Sequence, residues 1–250
     1  MTIETVSAVW PPEFGRLGAT TTPFACRSPS SGWGEPESIS RSTQEYSLIF
    51  VVDNVNAKVL LGLKRRGMGV NLYNGFGGKC EPDETMAQCA ARELSEESGL
   101  IPNDGGLHYK GVLYTSRPPT KAGGSRKQMI KIHLFACVSW SGEPVETEEM
   151  SPEWFDLTDL PTDRMASFAP VHGLPTLTDI LSILHGLAEE LFLARVDYEL
   201  LASTAAPTAL PPLEGLSVRF ETQSNSDDIA ERLSGWFMAF VSKEVFGKVE

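Results

Sequence analysis

Glu93, Glu96 and Glu97 fall within five residues of one another, in the stretch 78–100 that reads GKCEPDETMAQCAARELSEESGL. Helical spacing sets Glu96 and Glu97 one turn beyond Glu93 on a single face. Like charges so placed cost an isolated helix roughly 0.2–0.5 kcal/mol per pair. By composition alone the triplet reads as a solvated acidic helix face. A hard divalent cation removes the objection to the crowding, because Mg²⁺ takes oxygen ligands, typically one or two carboxylates together with substrate phosphates. Mn²⁺ is the expected substitute. The chemistry on offer is metal-assisted attack on a phosphorylated substrate.

The elements that must hold these side chains follow from the flanking sequence. SLIFVVD, after Tyr46, is a β-branched and aromatic run of strand length, NVNA a turn, and KVLLGLKRR its hairpin partner, ending on Lys64, Arg65 and Arg66. GMGVNLYNGFGG reads as a Gly/Asn loop. A helix is expected over residues 84–98, capped by Asp83 and stopped by Gly99, with Met86, Ala90 and Leu94 as an apolar stripe apart from the glutamates. GLHYKGVLYTSR and KQMIKIHLFACVSW read as two further strands joined by the mobile linker PPTKAGGS, and EWFDL as a short one. A long amphipathic helix is expected over 177–202, a strand at SVRFET, and a closing helix in DDIAERLSGWFMAFVSKEVF. Residues 1–44, rich in Ser, Thr, Pro and Gly, read as a disordered tail, although Trp10, Phe14, Phe24 and Trp33 are suited to docking. Residues 45–250 form one domain with a helical, Pro-rich insertion at about 170–213. The order of elements predicts a mixed sheet covered by helices.

The formal net charge of −12 argues against a general nucleic-acid binder. Metal ions and a few local cations can still reverse the field at a site for a small polyanion. Cys26, Cys80, Cys89 and Cys137 show no CxxC spacing and are expected to be reduced structural thiols in a reducing compartment, the cytoplasm first, with nuclear or mitochondrial pools also open. No run of 18 apolar residues predicts a membrane span, and the N-terminus reads as neither a secretory signal nor a transit peptide. The four histidines have no metal spacing. A monomer is expected.

The stretch 78–100 resembles the Nudix box, G-x5-E-x7-R-E-U-x-E-E-x-G-U with U aliphatic. Gly78, Glu84, Arg92, Glu93, Leu94, Glu96, Glu97, Gly99 and Leu100 fill every specified position. KVLLGLKRRGMG, NLYNGFGGK and TEEMSPEWFDLTDLP are similar to the oxidised-purine nucleoside triphosphatases, the MutT-homologue branch, over roughly residues 46–165. The resemblance implies an α/β (α+β) fold, the Nudix-type α/β/α sandwich with a mixed central sheet. It also implies Mg²⁺-dependent hydrolysis of nucleoside triphosphates of the 8-oxo-dGTP kind to a monophosphate and pyrophosphate, which would cleanse the nucleotide pool.

Carried over residue by residue, the resemblance makes Glu93, Glu96, Glu97, Glu149 and the Gly78 carbonyl the metal ligands. Glu96, Glu97 and Glu149 remain open as the base, with Arg92 orienting Glu84 or Glu96. Asn74 matches a base-contacting position, Lys64 one that approaches the substrate, and Met68 and Tyr73 positions lining the base pocket. Read plainly, Glu149 is one acid of a charged loop, Asn74 a turn residue, Lys64 a surface cation, and Tyr73 and Met68 wall or core. The branch also carries two purine-recognising aspartates after Met-Trp-Pro. Here Met165 is followed by Ala166, Ser167, Phe168 and Ala169. Phe168 can stack on a base but supplies no such hydrogen bonds. Asp159, Asp163 and Asp179 replace the pair only along another backbone route. Two other functions therefore compete. One is hydrolysis of another nucleoside diphosphate-X compound (a nucleotide sugar, a dinucleotide or an RNA cap). The other is a catalytically weak module that binds nucleotide or protein.

Overall fold

The computed structural model describes residues 11, 25–27, 33, 44–67, 69–117, 128–161, 164–165, 190–200 and 231–246. The hairpin read from the sequence is present. Strands β2 (Gln44–Asp53) and β3 (Lys58–Lys64) pair through Val51↔Leu60 and Asp53↔Lys58. Their turn is fixed by Asp53, whose carboxylate accepts from the Val55 and Asn56 amides. Around them lie β1 (Ala25–Arg27), β4 (Tyr73–Asn74), β6 (Leu107–Arg117), β7 (Gln128–Cys137), β9 (Met150–Asp156), β10 (Glu190–Leu200) and β11 (Glu231–Ser242). They form one mixed sheet in the order β1-β11-β10-β6-β7-β2-β3-β4, with β9 on the other edge of β3. The pairs β2/β7 and β6/β10 are parallel and the others antiparallel. A separate ribbon joins β5 (Ile101–Pro102) to β8 (Trp140–Ser141).

Helix α1 (Met86–Ser98) packs Ala90 and Leu94 on one face of this sheet, against Ile49, Val51, Leu60 and Phe76. It begins two residues later than expected, and its cap is Thr85 rather than Asp83. Thr85 Oγ1 accepts from the Gln88 amide at 3.2 Å while the Gln88 side chain accepts from the Thr85 amide at 2.9 Å. That reciprocal pair satisfies two amides that an aspartate cap would serve singly. Gly99 ends the helix in the left-handed conformation (φ 76°), as expected.

Three expectations are corrected. The helix expected over 177–202 is strand β10 at its described residues, and the closing helix is mostly strand β11, followed by the single-turn α2 (Lys243–Phe246). The cause is burial on both sides. Phe192, Ala194 and Val196 enter one core while Leu191 and Leu193 enter another, so no polar alternation marks the strand. Second, parts of the supposed tail belong to the fold. Ala25–Arg27 pair with Met238–Trp236 of β11, and Trp33 is buried with its ring 4.9 Å from the Arg195 guanidinium. An aromatic face gives that guanidinium cation–π contact, which compensates burial of the ring's neighbour. Third, Cys80 and Cys89 are joined in a disulfide, Cα atoms 5.2 Å apart, while Cys137 is a buried free thiol. The turn between loop and helix folds Cys80 back over α1, a proximity that spacing along the chain does not reveal. The linker PPTKAGGS, the strand SVRFET, and Met68 and Phe168 lie outside the described residues.

Two substitutions test this packing. Leu94→Ala should destabilise the protein by about 2–5 kcal/mol through the cavity it leaves. Thr85→Ala should cost only about 1 kcal/mol, the worth of a helix cap. Urea unfolding measures both; equal losses would contradict the assignment of Leu94 to the core.

Candidate active site

Three pieces of chain meet beside α1. The first is the segment after β4. Beyond the Val51↔Leu60 pairing, β2 and β3 part, and residues 76–80 run along β2 in the gap. Ile49 and Phe76 exchange backbone bonds (2.7 and 2.9 Å), the Ser47 amide donates to the Gly78 carbonyl (3.0 Å), and the Cys80 amide donates to Glu45 (3.2 Å). Gly77, at φ 149°, has no room for a side chain: a Cβ there would stand 2.1 Å from the Ser47 carbonyl oxygen. At Gly78 a Cβ would stand 2.6 Å from the carboxyl carbon and both oxygens of Glu93. The glycines of YNGFGGK therefore let a strand lie directly against a carboxylate.

The second piece is the acidic face of α1. Glu97 is 4 % exposed; it accepts from the Gly77 amide at 2.7 Å and lies 3.9 Å from Lys64 Nζ. Burial pushes its carboxyl up to about 7, against the opposing pull of the Gly77 amide and Lys64. Glu93 is raised as well, chiefly by burial, although Arg92 Nη1 donates to it at 2.9 Å. The same nitrogen donates to Glu96 at 3.0 Å. Arg92 also grips Glu84 with Nε and Nη2, at 2.6 and 2.9 Å, and that bidentate bond holds the Glu84 carboxyl at about 2. One guanidinium thus steadies three glutamates.

The third piece is the turn 146–149. Thr147 Oγ1 accepts from the Glu149 and Met150 amides (3.2 and 3.1 Å), and Val145 donates to the Ser98 carbonyl at the end of α1 (2.9 Å). Glu149 pairs with Arg66, Nε at 3.0 Å, and Arg65 pairs with Glu146. The pieces enclose a cleft of about 600 Å³ that carries the carboxylates of Glu93, Glu96, Glu97, Glu148 and Glu149 and the cations Lys64, Arg66 and Lys79.

Of the residues expected in the site, Lys64, Gly78, Glu93, Glu96, Glu97 and Glu149 line this cleft, with Arg92 bonded to two of them. Tyr73 and Asn74 do not line it. Tyr73 is buried in the core on the opposite face of the sheet, its hydroxyl donating to Glu153, Arg164 over its ring at 5.0 Å and Phe155 edge-on at 4.8 Å. The Asn74 side chain accepts from the next amide, Gly75, at 2.9 Å. Arg66, Lys79 and Thr147 were not singled out from the sequence as site residues; the KRR run was the one signal for Arg66.

Among the described residues no three His, Cys, Asp or Glu side chains stand together as a ready metal-ligand set. The carboxylates are instead parcelled out to Arg92, to Gly77 with Lys64, and to Arg66. The donor set nevertheless suits a hard dication: it is all oxygen, acids outnumber cations in the cleft, and Glu97 is buried and Glu93 half-buried at a cost that such an ion would relieve. The geometry brings five carboxylates and three cations into one cleft, on a mixed sheet flanked by a loop–helix unit.

The NUDIX domain profile matches residues 44–172. The oxidized purine nucleoside triphosphate hydrolase of Danio rerio is 39 % identical over 119 residues, 48 % of this chain and 70 % of that protein. Its Mus musculus counterpart is 38 % identical over 119 residues, 46 % of this chain and 68 % of that protein. The m7GpppN-mRNA hydrolase NUDT17 of Xenopus laevis is 25 % identical over 177 residues, 66 % of this chain and 60 % of that protein. The chain belongs to the Nudix family and is a Nudix hydrolase.

The raised carboxyl at Glu97 sets the sign of a pH dependence. Its ordinary value is 4.5 and its folded value about 7, so between them the folded protein keeps a proton that the unfolded chain has released. Stability then falls as pH rises through that window. In chelator, urea unfolding at pH 5 and pH 7.5 should differ by on the order of 2 kcal/mol from this group, lower at pH 7.5. Glu97→Gln should flatten the slope; an unchanged slope in the variant would contradict the assignment.

Proposed function

We propose that the chain hydrolyses nucleoside triphosphates to a nucleoside monophosphate and pyrophosphate with Mg²⁺, oxidised purine nucleotides among its substrates. The observation that carries this reading is the buried Glu97 and the half-buried Glu93 sharing one cleft with Lys64, Arg66 and Lys79. The names borne by the relatives at 38–39 % identity support the choice of substrate. Glu93, Glu96, Glu97, Glu149 and the Gly78 carbonyl would hold the cation. That cation would neutralise phosphate oxygens and lower the pKa of a water.

The chain's own groups do the rest. Arg92 keeps Glu93 and Glu96 oriented through its grip on Glu84. Lys64, Arg66 and Lys79 bring positive charge to the wall that meets the phosphates, and positioning with charge stabilisation is most of what a protein adds to phosphoryl chemistry. Glu97, Glu96 or Glu149 takes the proton of the attacking water. Cytoplasmic location and a monomeric state belong to the same reading; among the described residues no helix is long and apolar enough to cross a membrane.

A second reading, hydrolysis of another nucleoside diphosphate-X compound, is favoured by the stretch Ala166-Ser167-Phe168-Ala169 in place of an aspartate pair. The similarity to an m7GpppN-mRNA hydrolase over a longer span also favours it. A substrate panel with Mg²⁺ separates the two. Pyrophosphate released from 8-oxo-dGTP and dGTP supports the first reading. Turnover confined to nucleotide sugars, dinucleotides or capped RNA supports the second. Glu97→Gln should lower turnover on the preferred substrate at least ~100-fold, and turnover within a few-fold of the parent at saturating Mg²⁺ would contradict its role.

A further inference from the structure

Cys80 ends the segment that carries Gly77 and Gly78, and Cys89 lies on α1 one turn before Glu93. Their disulfide spans nine positions of sequence and encloses the whole turn before the helix, including Glu84, which grips Arg92, and the cap Thr85. It therefore fastens together the two pieces of chain that press Gly78 against Glu93. Cys89 is fully buried, its sulfur 4.0 Å from the Gly78 carbonyl oxygen and 3.4 Å from Ser47 Oγ. Cys80 is half-buried, its sulfur 3.7 Å from Met86 Sδ, and is the more open of the two to a thiol from solvent.

We propose that Cys80 and Cys89 form a redox modification site that sets the affinity of the carboxylate cleft for a divalent cation, tight when the disulfide is closed and weaker when it is open. This rests on the reading of the cleft as a cation site. Two separate thiols need more room than a bonded pair, and close packing leaves Cys89 no space to retreat. The displacement then falls on Cys80 and the loop leading to it. Moving that loop shifts Gly78 against Glu93 and loosens the Gly77 amide from Glu97, so both carboxylates feel the change.

The chemistry is thiol–disulfide exchange with a low-molecular-weight disulfide such as oxidised glutathione. The Cys80 thiolate attacks one sulfur of that disulfide, releasing one thiol and leaving a mixed disulfide on Cys80. The Cys89 thiolate then attacks the Cys80 sulfur and expels the second thiol. Two electrons pass from the protein to the small disulfide, and reduction by two thiols runs the same steps in reverse. Cys137 stands apart, buried and with its thiol pushed up to about 11 by that burial.

The test uses the full chain carrying Cys26→Ser and Cys137→Ala, so that one cysteine pair remains. After equilibration in glutathione buffers and desalting, alkylation with intact-mass measurement counts free thiols, and electron paramagnetic resonance follows a Mn²⁺ titration without nucleotide. The disulfide form should bind Mn²⁺ about tenfold more tightly than the reduced form, the scale on which supporting groups tune metal sites. Adding Cys80→Ser, at the more accessible sulfur, should fix the reduced-like affinity whatever the buffer, with an unchanged circular dichroism spectrum. Equal Mn²⁺ affinity in the two forms, or two free thiols in fully oxidised glutathione, would overturn the proposal alone. Absence of Mn²⁺ binding in either form would overturn the cation site as well, and redox-dependent binding without turnover would strike only the proposed substrate.

Discussion

Carboxylates gathered in one cleft repel one another, and each is costly to bury without a partner. The structure around α1 is organised by that repulsion. Glu93 and Glu97 are withdrawn from solvent, and each is answered by a directed donor: Arg92 for the first, the Gly77 amide for the second. Arg92 is steadied in turn by the bidentate Glu84, which stays ionised well below neutrality. Removing Arg92 would leave Glu84, Glu93 and Glu96 together without the cation they share.

The sheet supplies the rigidity this arrangement requires. The parting of β2 from β3 opens a slot, and only a chain with glycine at 77 fits against β2 there, while Gly78 leaves room for the Glu93 carboxylate. The core beneath α1 fixes the helix against that slot, and the turn around Thr147 closes the third side. Loop, helix and turn are thereby held by backbone bonds, leaving the cations Lys64 and Arg66 as the adjustable partners at the cleft wall. A dication entering among the carboxylates would displace such partners, freeing positive charge for phosphate.

Much of this was readable from residue order. The hairpin of β2 and β3, the helix with its Gly99 stop and the acidic face of α1 are local, and local patterns carry their own signal. The Thr85 cap was missed because Asp83 offers an equally good cap chemistry two residues earlier; geometry chose the residue with a Gln three positions on. Strand β10 was misread because both of its faces are buried, which erases the alternation that marks a strand. On β10, Arg195 donates through Nε and Nη2 to the two carboxylate oxygens of Asp197, at 2.9 and 3.0 Å, inside the protein and beneath Trp33. The disulfide and the position of Arg66 against Glu149 depend on folding-back of distant segments, for which one sequence holds no pattern.

The central claim is that the acidic face of α1 gathers around a hard dication rather than resting on Arg92 and Lys64 alone. Anomalous diffraction from a crystal soaked in Mn²⁺ tests it directly. The account predicts a peak in the cleft with oxygens of Glu93 and Glu97 at about 2.0–2.2 Å, the range of hard-cation bonds to carboxylate. A cleft without a peak, its glutamates still bonded to Arg92, Gly77 and Lys64, would contradict it.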